Sequence, residues 1–83
     1  MKLAKYVKFR EEKFGGVLFE TRSEKVFTLN PTATAVVREI QAGSDETAIV
    51  ERLNERFQGE GGAIGREAAA YIAELRKMGL VED

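Results

Sequence analysis

Apolar and polar residues alternate through Tyr6-Val7-Lys8-Phe9-Arg10, the pattern of a half-buried strand. Met1–Lys5 ahead of it reads as a loose start, and Glu11-Glu12-Lys13 behind it as a charged connection whose carboxylates are solvated rather than catalytic. Gly15-Gly16 suggests a flexible turn or bulge leading into a second, more apolar strand, Val17-Leu18-Phe19-Glu20-Thr21. A third strand, Lys25–Leu29, follows the hairpin loop Thr21-Arg22-Ser23-Glu24. That loop sets Glu20 opposite Lys25, Phe19 opposite Val26 and Leu18 opposite Phe27. Leu18, Phe27 and Leu29 then share one face, and Val17, Phe19, Val26 and Thr28 the other. Neither face is wholly polar, so the second needs a cover: the N-terminal segment or a partner protein.

At Asn30-Pro31 the period changes from that of a strand to that of a helix. Asn30 can accept a first-turn N–H, and Pro31 supplies a helix-ready φ where a missing N–H costs nothing. The first helix is predicted over Pro31–Ala42, burying Ala33, Val36, Val37 and Ile40, with Gly43 as its left-handed terminator. Ser44 is expected to cap a second helix, Asp45–Phe57, whose buried stripe is Ile49, Leu53 and Phe57 and whose first turn carries Asp45 and Glu46. Gln58-Gly59-Glu60-Gly61-Gly62 reads as a mobile linker; with no strand before it and no Lys-Ser/Thr after it, it is no phosphate loop. A third helix, Arg66–Met78, buries Ala68, Ile72 and Leu75, ends at Gly79, and is followed by Leu80-Val81 folding back onto the core. Beside that stripe run Ala69, Ala73 and Arg76. The alanines either let another backbone approach closely or simply favour helix.

Composition narrows the function. Among 83 residues there is no Cys and no His, which removes thiol nucleophiles, Cys/His metal sites, imidazole bases and disulfides together. A non-catalytic protein without cofactor or metal is expected. The chain suffices for one domain, spanning residues 1–83. The charged start MKLAKYVKF is no signal peptide and no apolar run is long enough to span a membrane, so a cytoplasmic, membrane-free protein is expected. Net charge is −1, but residues 1–38 carry +4 and residues 39–83 carry −5. Such a field steers charged partners without gripping a nucleic acid.

Three strands followed by three helices make an α+β domain, a three-stranded antiparallel meander on a helical bundle (βββααα) of winged-helix-like shape. In a meander Lys25–Leu29 is an outer strand whose free N–H and C=O groups invite an added peptide strand.

The run Leu29-Asn30, Thr32, Ala33 and Ala35, then Ile40, Gly43, Ile49, Leu53 and Phe57, and finally Tyr71, Ile72, Leu75 and Gly79-Leu80-Val81 resembles the PqqD family, the peptide chaperones also called RiPP recognition elements. Phe9–Leu29 is similar to the branch serving mycofactocin-type systems. The resemblance implies a non-catalytic protein that binds the leader of a ribosomally made precursor peptide and presents it to a radical SAM enzyme. It also implies a groove between the third strand and the third helix, carried onto Lys25, Val26, Phe27 and Thr28 on one side and Ala69, Ile72, Ala73 and Arg76 on the other. Lys25, Arg76 and Lys77 would pair with leader carboxylates. Glu67-Ala68 departs from the acidic and β-branched pair that often opens the family's third helix, which leaves that end of the groove unassigned.

Two other readings compete. A winged-helix nucleic-acid-binding domain would need a basic third helix, yet Glu67 and Glu74 offset Arg66, Arg76 and Lys77. A small oligomerisation domain would use the same strand edge for self-pairing, making a dimer where the peptide receptor is expected to be a monomer.

Overall fold

The computed structural model describes residues 1–56 and 63–82. Its elements, in chain order, are β1 (Lys2–Leu3), β2 (Val7–Glu12), β3 (Gly15–Glu20), β4 (Lys25–Leu29), α1 (Pro31–Gln41), α2 (Glu46–Arg56), α3 (Ala63–Lys77) and β5 (Val81–Glu82). The predicted class holds: three antiparallel strands in the order β2-β3-β4 precede three helices.

The hairpin register follows from its side chains. Glu20 faces Lys25, Phe19 faces Val26 and Leu18 faces Phe27, as the four-residue loop requires. Leu18 is fully buried and Leu29 nearly so, whereas Val26 on the opposite face is 60% exposed. The turn before β3 differs from expectation. Glu12 pairs with Gly15, so Lys13-Phe14 make the turn and both glycines lie inside the strand. The reason is steric: Gly15 sits at φ +147°, and a Cβ there would meet the Leu29 carbonyl oxygen at 2.2 Å. The carboxylates expected to be solvated lie in β2 and reach outward: Glu11 accepts from Arg38 at 2.6 Å and Glu12 from Arg10 at 2.5 Å.

Strand passes into helix as predicted. The Asn30 side chain accepts the Ala33 N–H at 2.8 Å with Pro31 opening α1, and Gly43 follows the helix at φ +90°. Val36, Val37 and Ile40 are fully buried, so α1 is the central helix, against β3 on one side and α2 and α3 on the other. Ala33 is only half-buried; Thr34 and Ala35 are buried in its place. α2 is capped by Asp45, which accepts the Ala48 N–H at 2.8 Å. The expected cap, Ser44, donates its hydroxyl to Glu39 instead, at 2.9 Å. Ile49 and Leu53 are buried; Phe57 and the linker, residues 58–62, lie outside the described residues.

α3 begins at Ala63, a turn earlier than the expected Arg66, because Asn54 of α2 receives the Gly65 N–H on its side-chain oxygen at 2.9 Å and draws that turn onto its neighbour. Ala68, Ile72 and Leu75 are fully buried, and Leu80 and Val81 close the core as expected. The start of the chain is not loose. Lys2 pairs with Glu82 and Leu3 with Val81, and the Ala4 N–H donates to the Leu80 carbonyl at 2.9 Å. The Tyr6 hydroxyl donates to the Gly79 carbonyl, tying the end of α3 to the start of β2. Among the described residues no helix is long and apolar enough to cross a membrane.

Candidate functional site

β4 has β3 along one edge and no strand along the other among the described residues. In an antiparallel edge strand every second residue directs its N–H and C=O outward, so this edge presents unsatisfied main-chain groups over its five residues. α3 runs beside it, and two clefts lie between them. The first, about 290 Å³, is lined by Phe27, Thr28 and Leu29 on the strand side and Tyr71, Glu74, Leu75 and Met78 on the helix side. The second, about 260 Å³, continues past the strand end, with Asn30, Thr32 and Ala33 facing Glu67, Ala70, Tyr71 and Glu74. Tyr71 and Glu74 border both, so the two form one groove.

The groove is built by the junction already described. The Asn30 cap and Pro31 turn the chain directly from β4 into α1, which keeps the strand edge and the first turn of α1 on one wall. Buried Ile72 and Leu75 hold α3 opposite. Their neighbours Tyr71, Glu74 and Met78 are thereby rotated toward the strand. Burial, and secondarily the Glu74 charge, push the Tyr71 phenol up to about 12, so it stays a neutral hydrogen-bond donor beside the exposed carboxylate.

The residues expected in the groove divide. Phe27 and Thr28 line it. Lys25 is exposed and lines neither cleft, and Val26 projects from the opposite sheet face, so neither side chain lines the groove. Ile72 is fully buried beneath the groove. Ala69, Ala73 and Arg76 are on the wrong side of the helix. At about 100° per residue Ala73 lies roughly 160° around from Tyr71. Arg76 accordingly reaches α2, where it donates to Glu46 at 2.6 Å. Lys77 is exposed and also lines neither cleft. The helical wall missed in the sequence is Glu67, Ala70, Tyr71, Glu74 and Met78. Its signal was available: Tyr71 and Met78 are large apolar residues seven apart, on the flank of the buried stripe opposite to the alanines.

The other face of the sheet carries a broader depression, about 670 Å³, in which Val17, Phe19 and Val26 lie beside Lys8 and Arg10. The N-terminal segment does not cover it, because β1 pairs with β5 at the far side of the core.

Residues 15–81 match the family model described as Coenzyme PQQ synthesis protein D (PqqD). No curated protein matches the chain. Two solved structures share the fold. "Lasso peptide synthetase B1 complexed with the leader peptide" superposes with a TM-score of 0.82 at 23% identity, over 99% of this chain and 96% of that one. "TbiB1 in Complex with the TbiA(beta) Leader Peptide" does so with a TM-score of 0.85 at 17% identity, over 99% and 95%.

Proposed function

The chain belongs to the PqqD family, and on that premise we propose that it is a non-catalytic peptide-binding chaperone that holds the leader of a ribosomally made precursor by strand addition. The observation that carries this reading is the open edge of β4 facing a groove walled by α3. Two solved proteins of the same fold are described with leader peptides, which supports it. The peptide pairs its main chain with Lys25–Leu29 and places alternate side chains between Phe27 and the Tyr71–Met78 flank. Holding the leader raises the local concentration of the rest of the precursor at a modifying enzyme, with no reactive group needed here. That enzyme is of the radical SAM class, on the similarity of Phe9–Leu29 to the mycofactocin-type branch. The protein acts in the cytoplasm, where such precursors are made, and as a monomer, since self-pairing through β4 would occupy the edge that the peptide needs.

The test titrates candidate leader peptides, drawn from any short reading frames found beside this gene, calorimetrically. Ala70 is exposed and lines the groove, whereas Ala73 is exposed on the far side of the helix. Ala70→Trp is expected to weaken binding by at least about tenfold and Ala73→Trp to leave it unchanged. Equal affinity of Ala70→Trp and the parent protein would remove the groove from the account.

A further inference from the structure

The charge in this groove runs opposite to what the basic front half of the chain suggests. Neither cleft is lined by a Lys or Arg, while the helical wall carries Glu67 and Glu74. Both are exposed, and neither forms an ion pair among the described residues. Arg76, two residues beyond Glu74, is turned toward Glu46 instead. The strand wall facing them is neutral: Phe27, Thr28, Leu29, Asn30, Thr32. The groove is also graded along its length. Phe27, Leu75 and Met78 make one end apolar, and from Glu74 through Tyr71 to Glu67 the lining turns polar and acidic.

Resting on the peptide-receptor reading and deepening it, we infer that the segment bound here is apolar and basic: an aliphatic or aromatic anchor in the Phe27–Leu75–Met78 end, and a Lys or Arg facing Glu74 and Glu67. Two independent features point to this occupant. The open strand edge selects an extended backbone, and the unbalanced carboxylates select the sign of its side-chain charge. The spacing follows from the two periodicities. Met78 and Glu74 are one turn apart, about 6 Å along α3, and Glu67 lies roughly 10 Å beyond Glu74. Same-face positions of a strand are about 6.8 Å apart, so the cation stands two to four residues (~7–14 Å) from the anchor. Acidic leader positions, which Lys25 and Arg76 were expected to receive, are repelled at this wall.

The probe is a phage-displayed library of random peptides, selected in parallel on the parent protein, on the double variant Glu67→Lys/Glu74→Lys, and on Glu67→Gln/Glu74→Gln. All four substitutions are at exposed positions, and circular dichroism checks that each variant is folded. The parent is expected to enrich peptides with Lys or Arg at a fixed offset from an apolar residue. The charge-reversed protein keeps the apolar residue and enriches Asp or Glu at that offset; the neutral variant loses the charge bias. A Lys→Glu change in a selected peptide lowers its affinity for the parent by roughly three- to fivefold or more. Enrichment of apolar extended peptides with no basic bias, or with a bias that reversal leaves in place, overturns the charge inference and leaves the receptor reading standing. Selection of no peptide on any of the proteins overturns both.

Discussion

Replacing Gly15 by alanine tests how the end of β4 is positioned. At φ +147° an L-residue is strained by about 1–3 kcal/mol. The new Cβ would also lie 2.2 Å from the Leu29 carbonyl oxygen and 3.0 Å from the Asn30 carbonyl carbon. Both are backbone atoms of the β4–α1 junction, so no side chain can swing aside; the overpacking adds about 1–3 kcal/mol. The expected cost is about 2–6 kcal/mol, against a total stability of about 4–12 kcal/mol for a domain of 83 residues. Gly43→Ala is the control. It too has positive φ, +90°, but a Cβ there meets nothing within 4 Å. Strain alone costs about 1–2 kcal/mol there. Urea and thermal unfolding followed by circular dichroism should show Gly15→Ala losing roughly 4 °C or more in Tm beyond the control, from about 1–3 kcal/mol of overpacking at 4–8 °C per kcal/mol. Amide shifts should move at Leu29 and Asn30 in the first variant and stay fixed in the second. Equal losses for the two glycines would refute the claim that the close approach of β3 to the Leu29–Asn30 backbone is what requires glycine at position 15.

The other expectations concern pH and the second sheet face. The Ser44 hydroxyl and then the Arg52 guanidinium hold the Glu39 carboxyl below the usual carboxylate range. A folded-state value depressed in this way contributes stability above the unfolded value, which is lost as pH falls through the folded one. The stability gap between the parent and Glu39→Gln should therefore be largest near neutrality and shrink on acidification below the ordinary value of 4.5; a gap that does not change with pH would contradict this. On the outer face, Phe19→Asp is expected to weaken association with the partner enzyme in a pull-down while leaving leader affinity intact, because Phe19 lies with Val17 and Val26 away from the groove. Unchanged enzyme capture would exclude that face as the contact.

Local signals read well in this chain because they depend on neighbours in sequence. The hairpin register follows from a four-residue loop and a Glu20–Lys25 pair, and the α1 start from Asn30-Pro31. Leu18, Val36, Val37, Ile40 and Leu75 fall on the inner side of their elements by periodicity alone. What failed depends on groups that another element of the fold supplies. Lys2–Leu3 is a strand only because Val81–Glu82 lies beside it, and no pattern of two residues announces that. Ser44 and Asp45 are both competent caps; Glu39, a turn away on α1, takes Ser44 and leaves Asp45 to α2. The groove wall failed for the same reason. Periodicity locates the buried stripe of α3 and leaves two flanks; the large apolar pair Tyr71 and Met78 marks one of them, and the packing of α2 and β4 around α3 turns that flank to the strand and Ala73 away from it.

The pairing of Lys2 with Glu82 has an architectural corollary. Antiparallel partners sit about 5 Å apart at Cα, so both ends of the fold leave the molecule side by side. A host protein could accept the whole unit within a surface loop by opening a gap no wider than an ordinary hairpin, and a permuted gene joining the old ends through a short bridge would have little distance to cross.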